Sequence, residues 1–541
     1  MRKHFLLAFV AFSAAGYSQI ITDTTKAAEN WFNLDPYTNK VNGVGTERTY
    51  SELLKGKKST QVIVGVIDSG VDFNHEDLKD IMWTNPKEIV GNNIDDDKNG
   101  YIDDIHGWSF LGGKDGKNID KETLELTRIY RDLKKKYDGK DETTVASADK
   151  KEFKFYTTIK TEFESKLNKA QQNLTKYTFI QESFANINIE AKKQLHVDTV
   201  RLNTLAKYKA KDKKEEGFVG YAQMMLAQDS TLAFEYILKQ LNEALDYFGG
   251  QVKYNLNIDF DPRSIVGDDY KNSYQKDYGN NDCNGPSSLH GTHVAGIIAA
   301  NRANNLGVKG VADNVRIMSV RAVPDGDERD KDVANAIIYA VDNGAKVINM
   351  SFGKTYPYDK TAVDKAVKYA ESKDVLLVHA AGNDGVDVDK NIFYPYKKFA
   401  DGKKANNWIE VGALSWKKGM KLPASFSNYG KKTVDVFAPG VDIYSAKSGG
   451  GYLNESGTSM ACPVTVGVAA VIRSYYPNLT AKQVKKIIEK SVDKDYKSQQ
   501  VTKPGDAETS KKMGTKFGDL SSTGGVVNLY NAIMLAEKMS K

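Results

Sequence analysis

The sequence predicts an α/β protein: a doubly wound, mostly parallel sheet flanked by helices and interrupted by a mostly helical insertion. Three observations predict it. Short, near-continuous β-branched runs occur around residues 60–80 and again over 286–541. Runs of this kind mark strands buried on both faces, as in parallel sheets covered by helices. Helical patterns alternate with them, as crossover connections require. Between the two zones, over 118–247, the texture shifts to Lys, Glu, Gln and Ala with apolar residues at helical spacing. A chain of 541 residues exceeds one ordinary domain and can bury a large core. Its 76 Lys and Arg against 70 Asp and Glu leave a formal charge of +6, too weak an excess to indicate nucleic acid.

At the amino end, "MRKHFLLAFVAFSAAGYSQ" (1–19) has a basic start at Arg2 and Lys3, then an apolar stretch from Phe5 to Ala15. That is the pattern of a secretory signal peptide, too short to span a bilayer. Export to the periplasm or the cell exterior is expected, with no stable membrane insertion afterwards. With only Cys283 and Cys462, no disulfide framework supports the fold. Whether the two pair is left open.

Residues 20–117 form the first part of the sheet domain. Its strand "QVIVGVID" ends in Asp68. The carboxyl end of a buried strand is where open α/β sheets place ligands and chemistry; an aspartate there can equally cap a helix. Next comes the Asp-rich loop "NNIDDDKNGYIDDIHGW" (92–108). Asp95, Asp97, Asn99 and Asp103 offer oxygen ligands around a turn at Gly100, resembling the first half of an EF-hand calcium loop. His106 stands where that motif's closing glutamate belongs. A structural Ca²⁺ is expected here, and no organic cofactor.

The insertion, 118–247, contains "FKFYTTIKTEFESKLNKAQQNL" and "TLAFEYILKQLNEALDYF". Residues 248–541 return to the sheet. "HGTHVAGIIAAN" reads as a helix opening on His290; the i,i+3 pair His290 and His293 is weak evidence for metal without a nearby acidic ligand. "VRIMSVRAV", "AKVINMSF", "DVLLVHAAGN" and "WIEVGAL" read as strands. Asn383, at the end of the third, either makes a turn or donates its amide to an oxyanion. In "NESGTSMACPV" (454–464), Pro463 is tolerated only near a helix start, so a helix begins close to Ser459. Ser459 is then either a cap or a nucleophile set where free N–H groups favour negative charge.

Asp68, His290, Asn383 and Ser459 thus fall in order at strand ends or helix starts of one sheet. Asp-His-Ser in that chain order is one of the known arrangements for acyl transfer. The segments "VIDSGVD", "HGTHVAGIIAA", "VINMSFG", "AAGNDG", "FAPG" and "GTSMACP" resemble, in sequence and order, the signatures of the subtilisin-like serine peptidases (subtilases). The resemblance covers roughly half the chain. It implies a serine endopeptidase acting on polypeptides, with Ser459 as nucleophile, His290 as general base and Asp68 as its orienting partner. Asn383 and the Ser459 N–H would form the oxyanion hole.

The resemblance also implies that an extended substrate lies between the strands carrying "RAVPDG" and "MSFG". Ser351, Phe352 and Gly353 would wall the pocket for the residue before the scissile bond, with Ala381 and Gly382 opposite. Phe393, ahead of the Tyr394–Pro395 pair, would fill part of its floor and favour small or medium apolar side chains. Asp77 matches a family calcium ligand beside the loop 301–312. That loop is one residue longer here, which puts Asn304 in question as a ligand. Two further expectations come from the insertion. The 222 residues between Asp68 and His290, against a few tens in simple members, place it beside the cleft. It offers a surface for a protein partner, and an idle scaffold built on it is the alternative to an enzyme.

Overall fold

The computed structural model describes residues 27–227, 229, 231–506 and 514–541; the expected signal segment 1–19 lies outside them. The chain divides into two compact units. One comprises the described residues up to Glu125 together with Asp261–Lys541, the other Leu126–Phe260.

The first unit is built on seven strands: β1 (Val62–Asp68), β2 (Gly107–Ser109), β3 (Val315–Arg321), β4 (Val347–Met350), β5 (Leu376–Ala380), β6 (Trp408–Leu414) and β7 (Val436–Pro439). They lie in the order β2-β3-β1-β4-β5-β6-β7, and every pairing is parallel. A hairpin, β8 (Ile443–Ala446) with β9 (Tyr452–Glu455), stands apart. The helices are α1 (Thr46–Glu52), α2 (Glu125–Tyr137), α3 (Lys150–Leu195), α4 (Leu202–Leu205), α5 (Lys213–Leu226), α6 (Phe234–Gly250), α7 (Leu289–Ala299), α8 (Asp330–Asp342), α9 (Lys360–Ser372), α10 (Thr458–Tyr475), α11 (Ala481–Ser491) and α12 (Leu529–Ser540).

Alternation along β1 shows why the sheet needs helices on both sides. Val62, Val64 and Val66 enter a core with α7, α10, α11 and α12, whereas Ile67 enters a second core with α8 and α9. β1, β3, β4, β5 and β6 carry the β-branched runs that mark strands in the sequence. The other two, β2 and β7, are short and carry no long β-branched run. Gly107 and Trp108 of β2 pair with Ser319 and Val320 inside the loop that composition marks as irregular.

The second unit is helical. α3 runs for 46 residues, about 69 Å at 1.5 Å per residue. Its buried Tyr156, Ile159, Phe163, Ala170, Tyr177, Phe184, Ile187 and Ala191 keep to helical spacing on one stripe. Tyr177, Phe184, Ile187 and Ala191 share a core with Val219, Ala222 and Leu226 of α5 and with Phe234, Ile237, Leu241 and Phe248 of α6. The unit's edges differ from the 118–247 that composition suggests. Ile119 is buried in the sheet's second core, and the Glu122 carboxylate accepts from Arg329 Nε at 2.8 Å, so residues 118–125 belong to the sheet unit. At the other end, α6 continues to Gly250 and passes into a π-helical turn over Gln251–Asn255.

Candidate active site

The carboxyl ends of β1, β4 and β5 and the amino ends of α7 and α10 carry the residues singled out from the sequence. β1 delivers Asp68, 1% exposed. Its Oδ1 accepts from the Ser69 N–H at 2.7 Å and pairs with His290 Nδ1 at 2.7 Å. Because a carboxylate can only accept, that contact places the proton of the neutral ring on Nδ1, so that Nε2 is the base once the ring is neutral. A close backbone approach makes the pairing possible. A β-carbon on Gly291 would stand 2.1 Å from the Gly70 carbonyl oxygen, so only glycine lets α7 seat against the turn after β1.

Burial of His290 opposes its charge, yet the attraction and hydrogen bond of Asp68 outweigh that, with Glu455 adding to them, and the imidazole is pushed up to about 9. About a third of the His290 side chain (36%) remains open to solvent. His293 behaves in the opposite way. Its ring is buried, bonds the Leu453 carbonyl through Nε2 at 3.2 Å, and is pushed down to about 3 by that burial.

Ser459 is the second residue of α10. Its N–H belongs to the first turn, where no intrahelical acceptor exists. Pro463 cannot donate to the Ser459 carbonyl four residues back. The Ser351 hydroxyl takes that place, donating to the carbonyl at 3.0 Å. The Ser459 hydroxyl in turn donates to the Ser351 carbonyl at 3.2 Å. The proline thus ties the helix start to the strand end that follows β4. Among the described residues no hydrogen bond joins Ser459 Oγ to His290, the loose geometry common before a substrate binds.

Asn383 is oriented by the same helix start. Its Oδ1 accepts from the N–H and the hydroxyl of Thr458 at 2.8 and 2.9 Å, which turns the amide Nδ2 the other way. A β-carbon on Gly457 would lie 3.5 Å from both Asn383 Nδ2 and the Ser459 nitrogen. Two N–H donors therefore border one small space that glycine keeps open, the arrangement an oxyanion requires.

Ser351, Phe352 and Gly353 follow β4 directly, and Gly353 approaches the Tyr394 carbonyl. Phe352 packs against the α8–α9 core, whereas Phe393 packs against the core on the other side of the sheet. Cys283 and Cys462 are both buried and unpaired; the Cys462 thiol points to the Val378 carbonyl at 3.2 Å.

The Asp-rich loop is arranged differently from the spacing argument. Asp95 and Asp97 come together with Glu88, which lies outside the 92–108 motif, their ligand oxygens lying within 4.8 Å of one another. Asp103 is not among these three carboxylates, and the backbone N–H of Asn99 donates to Asp95 and Asp97 at 3.0 and 3.1 Å. The Asp103 carboxylate accepts from the N–H groups of Gly91 and Asn93 at 3.0 and 2.8 Å, and Asn99 Nδ2 donates to Asp104 at 3.1 Å. Asp77 sits with the 301–312 loop, accepting from Asn304 Nδ2 at 2.5 Å and the Val308 N–H at 3.3 Å. Asn304 thus lies beside Asp77 with its amide nitrogen toward the carboxylate.

The subtilase family profile matches residues 59–515. The chain is a subtilase. The thermophilic serine proteinase of Bacillus sp. (strain AK1) is 42% identical over 237 residues, which are 44% of this subtilase and 53% of that relative. Subtilisin DY of Bacillus licheniformis is 40% identical over 208 residues, 38% of this chain and 69% of that one. Subtilisin E of Bacillus subtilis (strain 168) is 39% identical over 204 residues, 37% and 50% of the two chains. This subtilase therefore spans about half the length of most of the curated relatives it matches. Among the described residues, no helix is long and apolar enough to cross a membrane.

Proposed function

We propose that this subtilase is an exported serine endopeptidase that cleaves polypeptides through an acyl-enzyme. The observation that carries the proposal is the Asp68–His290 contact at 2.7 Å beside the paired donors Asn383 Nδ2 and Ser459 N–H. Ser459 Oγ attacks the peptide carbonyl while His290 Nε2 takes its proton. The resulting imidazolium is stabilised by Asp68, which stays ionised and fixes the tautomer. The carbonyl oxygen, now negative, moves into the space between Asn383 Nδ2 and the Ser459 N–H. His290 then gives the proton to the leaving amine, and water, activated by the same nitrogen, releases the acyl group.

Ser351, Phe352 and Gly353 are the proposed wall of the pocket before the scissile bond. Phe393, partly buried against the core, is the proposed floor. Export is proposed from the composition of residues 1–19. A structural Ca²⁺ is proposed at Glu88, Asp95 and Asp97. The three carboxylates accept from the N–H groups of Asp97, Asn99, Gly100 and Asp103, and a Ca²⁺, which takes oxygen ligands of this kind, would offset the repulsion that remains among them. Asp77 is a second, separate candidate.

The test is hydrolysis of an unfolded protein substrate by purified wild type and Ser459→Ala. Fragmentation by the first alone is expected; fragmentation by both would assign the activity elsewhere.

A further inference from the structure

A crevice opens past the end of β1, and one side chain closes its far end. β1 lies between β3 and β4 in the sheet. It leaves the sheet after Asp68, whose carbonyl accepts from Ala322 and Val323 at 3.0 and 3.2 Å. The continuations of β3, through residues 322–328, and of β4, through residues 351–354, therefore flank a gap that starts at Asp68 and passes Ser459.

The outer edges of both continuations are already paired. Asp325 donates to Asp120 and accepts from Glu122, and Asp327 donates to Thr123. Lys354 exchanges both backbone bonds with Tyr394 at 2.8 Å. Successive residues of an extended strand direct their N–H and C=O groups to opposite sides. Gly326 and Glu328 on one side, and Ser351 and Gly353 on the other, thus turn theirs into the gap. Gly326 and Gly353 use neither group in a backbone hydrogen bond among the described residues. The Glu328 carbonyl is different: Lys354 Nζ donates to it across the gap at 2.8 Å. The same ammonium contacts Glu125 Oε2 and Asp330 Oδ1, each at 2.8 Å. Lys354, Glu125, Glu328 and Asp330 are all buried.

We infer that Lys354 ends the substrate cleft, so that the protein holds about three residues on the amino side of the scissile bond. The inference rests on the peptidase role proposed for Ser459. Between Ser351 and Gly353 the free edge spans three residues, about 10 Å of extended chain. The next backbone acceptor that an entering strand would use is taken by the ammonium. Glu125 and Asp330 hold that ammonium in place, since releasing it would leave their carboxylates buried without it. Lys354 sets substrate length and takes no part in the chemistry.

The test uses the full chain and acetylated peptide p-nitroanilides of two to five residues, each made by adding one residue to the amino end of the one before. For wild type, kcat/KM should rise about tenfold from two residues to three, the value of a well-made hydrogen bond to a fixed edge. It should change less than about twofold with the fourth and fifth. Lys354→Ala should let the fourth residue add about tenfold. Where that variant misfolds, Lys354→Ala with Glu125→Gln and Asp330→Asn removes both stranded charges and serves instead. A wild type that gains tenfold or more from the fourth residue overturns the inference, whatever the variants do. That failure differs from failure of the peptidase reading, in which no peptide is cleaved and Ser459 does not react with a fluorophosphonate.

Discussion

Two helices divide the molecule's character between them. α10 has 18 residues, of which 16 are buried; Ser459 and Tyr475 are the exceptions. α3 has 46, of which nine are buried. In α10 the neighbours are strands and helices on every side. Small residues fill it: a β-carbon on Gly467 would stand 2.5 Å from Val311. Almost every position is fixed by a contact, and the serine is the polar opening at its start. In α3 only a stripe is fixed and the remaining faces meet water. A helix constrained all round can hold a reacting group to within fractions of an ångström. A helix constrained on one stripe can accept almost any polar residue elsewhere.

The strongest way to break this contrast is at the opening itself. Ser459→Ala and His290→Ala should each lower kcat by about 10⁶, the size found when either is removed from a subtilisin triad, and the double variant should add little. Near-full activity in either single variant, measured on a chromogenic peptide, would remove the triad. Asn383→Ala should cost about 10²–10³ in kcat with KM little changed, because its amide meets the oxygen only once charge has developed.

Acidity sharpens the contrast within one helix. His290 must be neutral to take a proton. With its pKa pushed up to about 9, kcat/KM should rise about tenfold per pH unit toward that value and level off above it. Glu455→Gln should move the rise to lower pH. An unmoved profile would separate Glu455 from the ring. The stability signs are opposite for the two histidines. His290, raised in the fold, favours folding fully below its unfolded value near 6.5 and loses that as pH climbs through about 9. His293, lowered to about 3, leaves the fold fully stable above about 6.5 and weakens it progressively on acidification toward 3. Denaturation curves of His293→Gln against wild type between about pH 4 and 7 should converge as the pH falls.

Packing gives a smaller effect. Ala470→Leu, in fully buried α10, should cost about 1–3 kcal/mol of stability, whereas Ser165→Ala on the exposed face of α3 should stay within about 0.5 kcal/mol. Equal costs in denaturant titrations would erase the distinction between the two helices. The smallest effect belongs to the acidic loop. A chelator should lower the melting temperature of wild type by a few degrees, as a ligand bound only to the folded state requires, and should leave Glu88→Gln/Asp95→Ala unaffected. An equal shift in both would move the ion elsewhere, with Asp77 the next place to look.

The same contrast explains what the sequence could disclose. Asp68, His290, Asn383 and Ser459 were legible because each sits in a segment whose neighbours are also fixed: Gly291 by the Gly70 carbonyl, Thr458 by Asn383, Pro463 through the bond that Ser351 supplies. Short motifs survive where backbone approaches backbone. Glu88 was not legible, because it joins Asp95 and Asp97 across a turn and spacing along the chain does not report such closures. Asp103 met the spacing rule and still turned to Gly91 and Asn93, since free N–H groups compete for a carboxylate. Lys354 gave no sign at all: its partners Glu125, Glu328 and Asp330 come from two other segments of the chain. The helical unit was legible as texture and its boundaries were not, because residues 118–125 share its polar composition while Ile119 is held in the sheet's core. A partner or scaffold role for that unit remains a proposal, tested by whether the unit's exposed face captures a partner when Ser459 is silenced.

The central claim is that Ser459 is the activated nucleophile of this fold, and fluorophosphonate labelling of the folded protein tests it most directly. Mass mapping of the adduct should place one phosphonyl group on Ser459 in wild type, none in Ser459→Ala, and a labelling rate in His290→Ala reduced by several orders of magnitude. A folded wild type that takes no label, or takes it with equal speed when His290 is absent, would contradict the account.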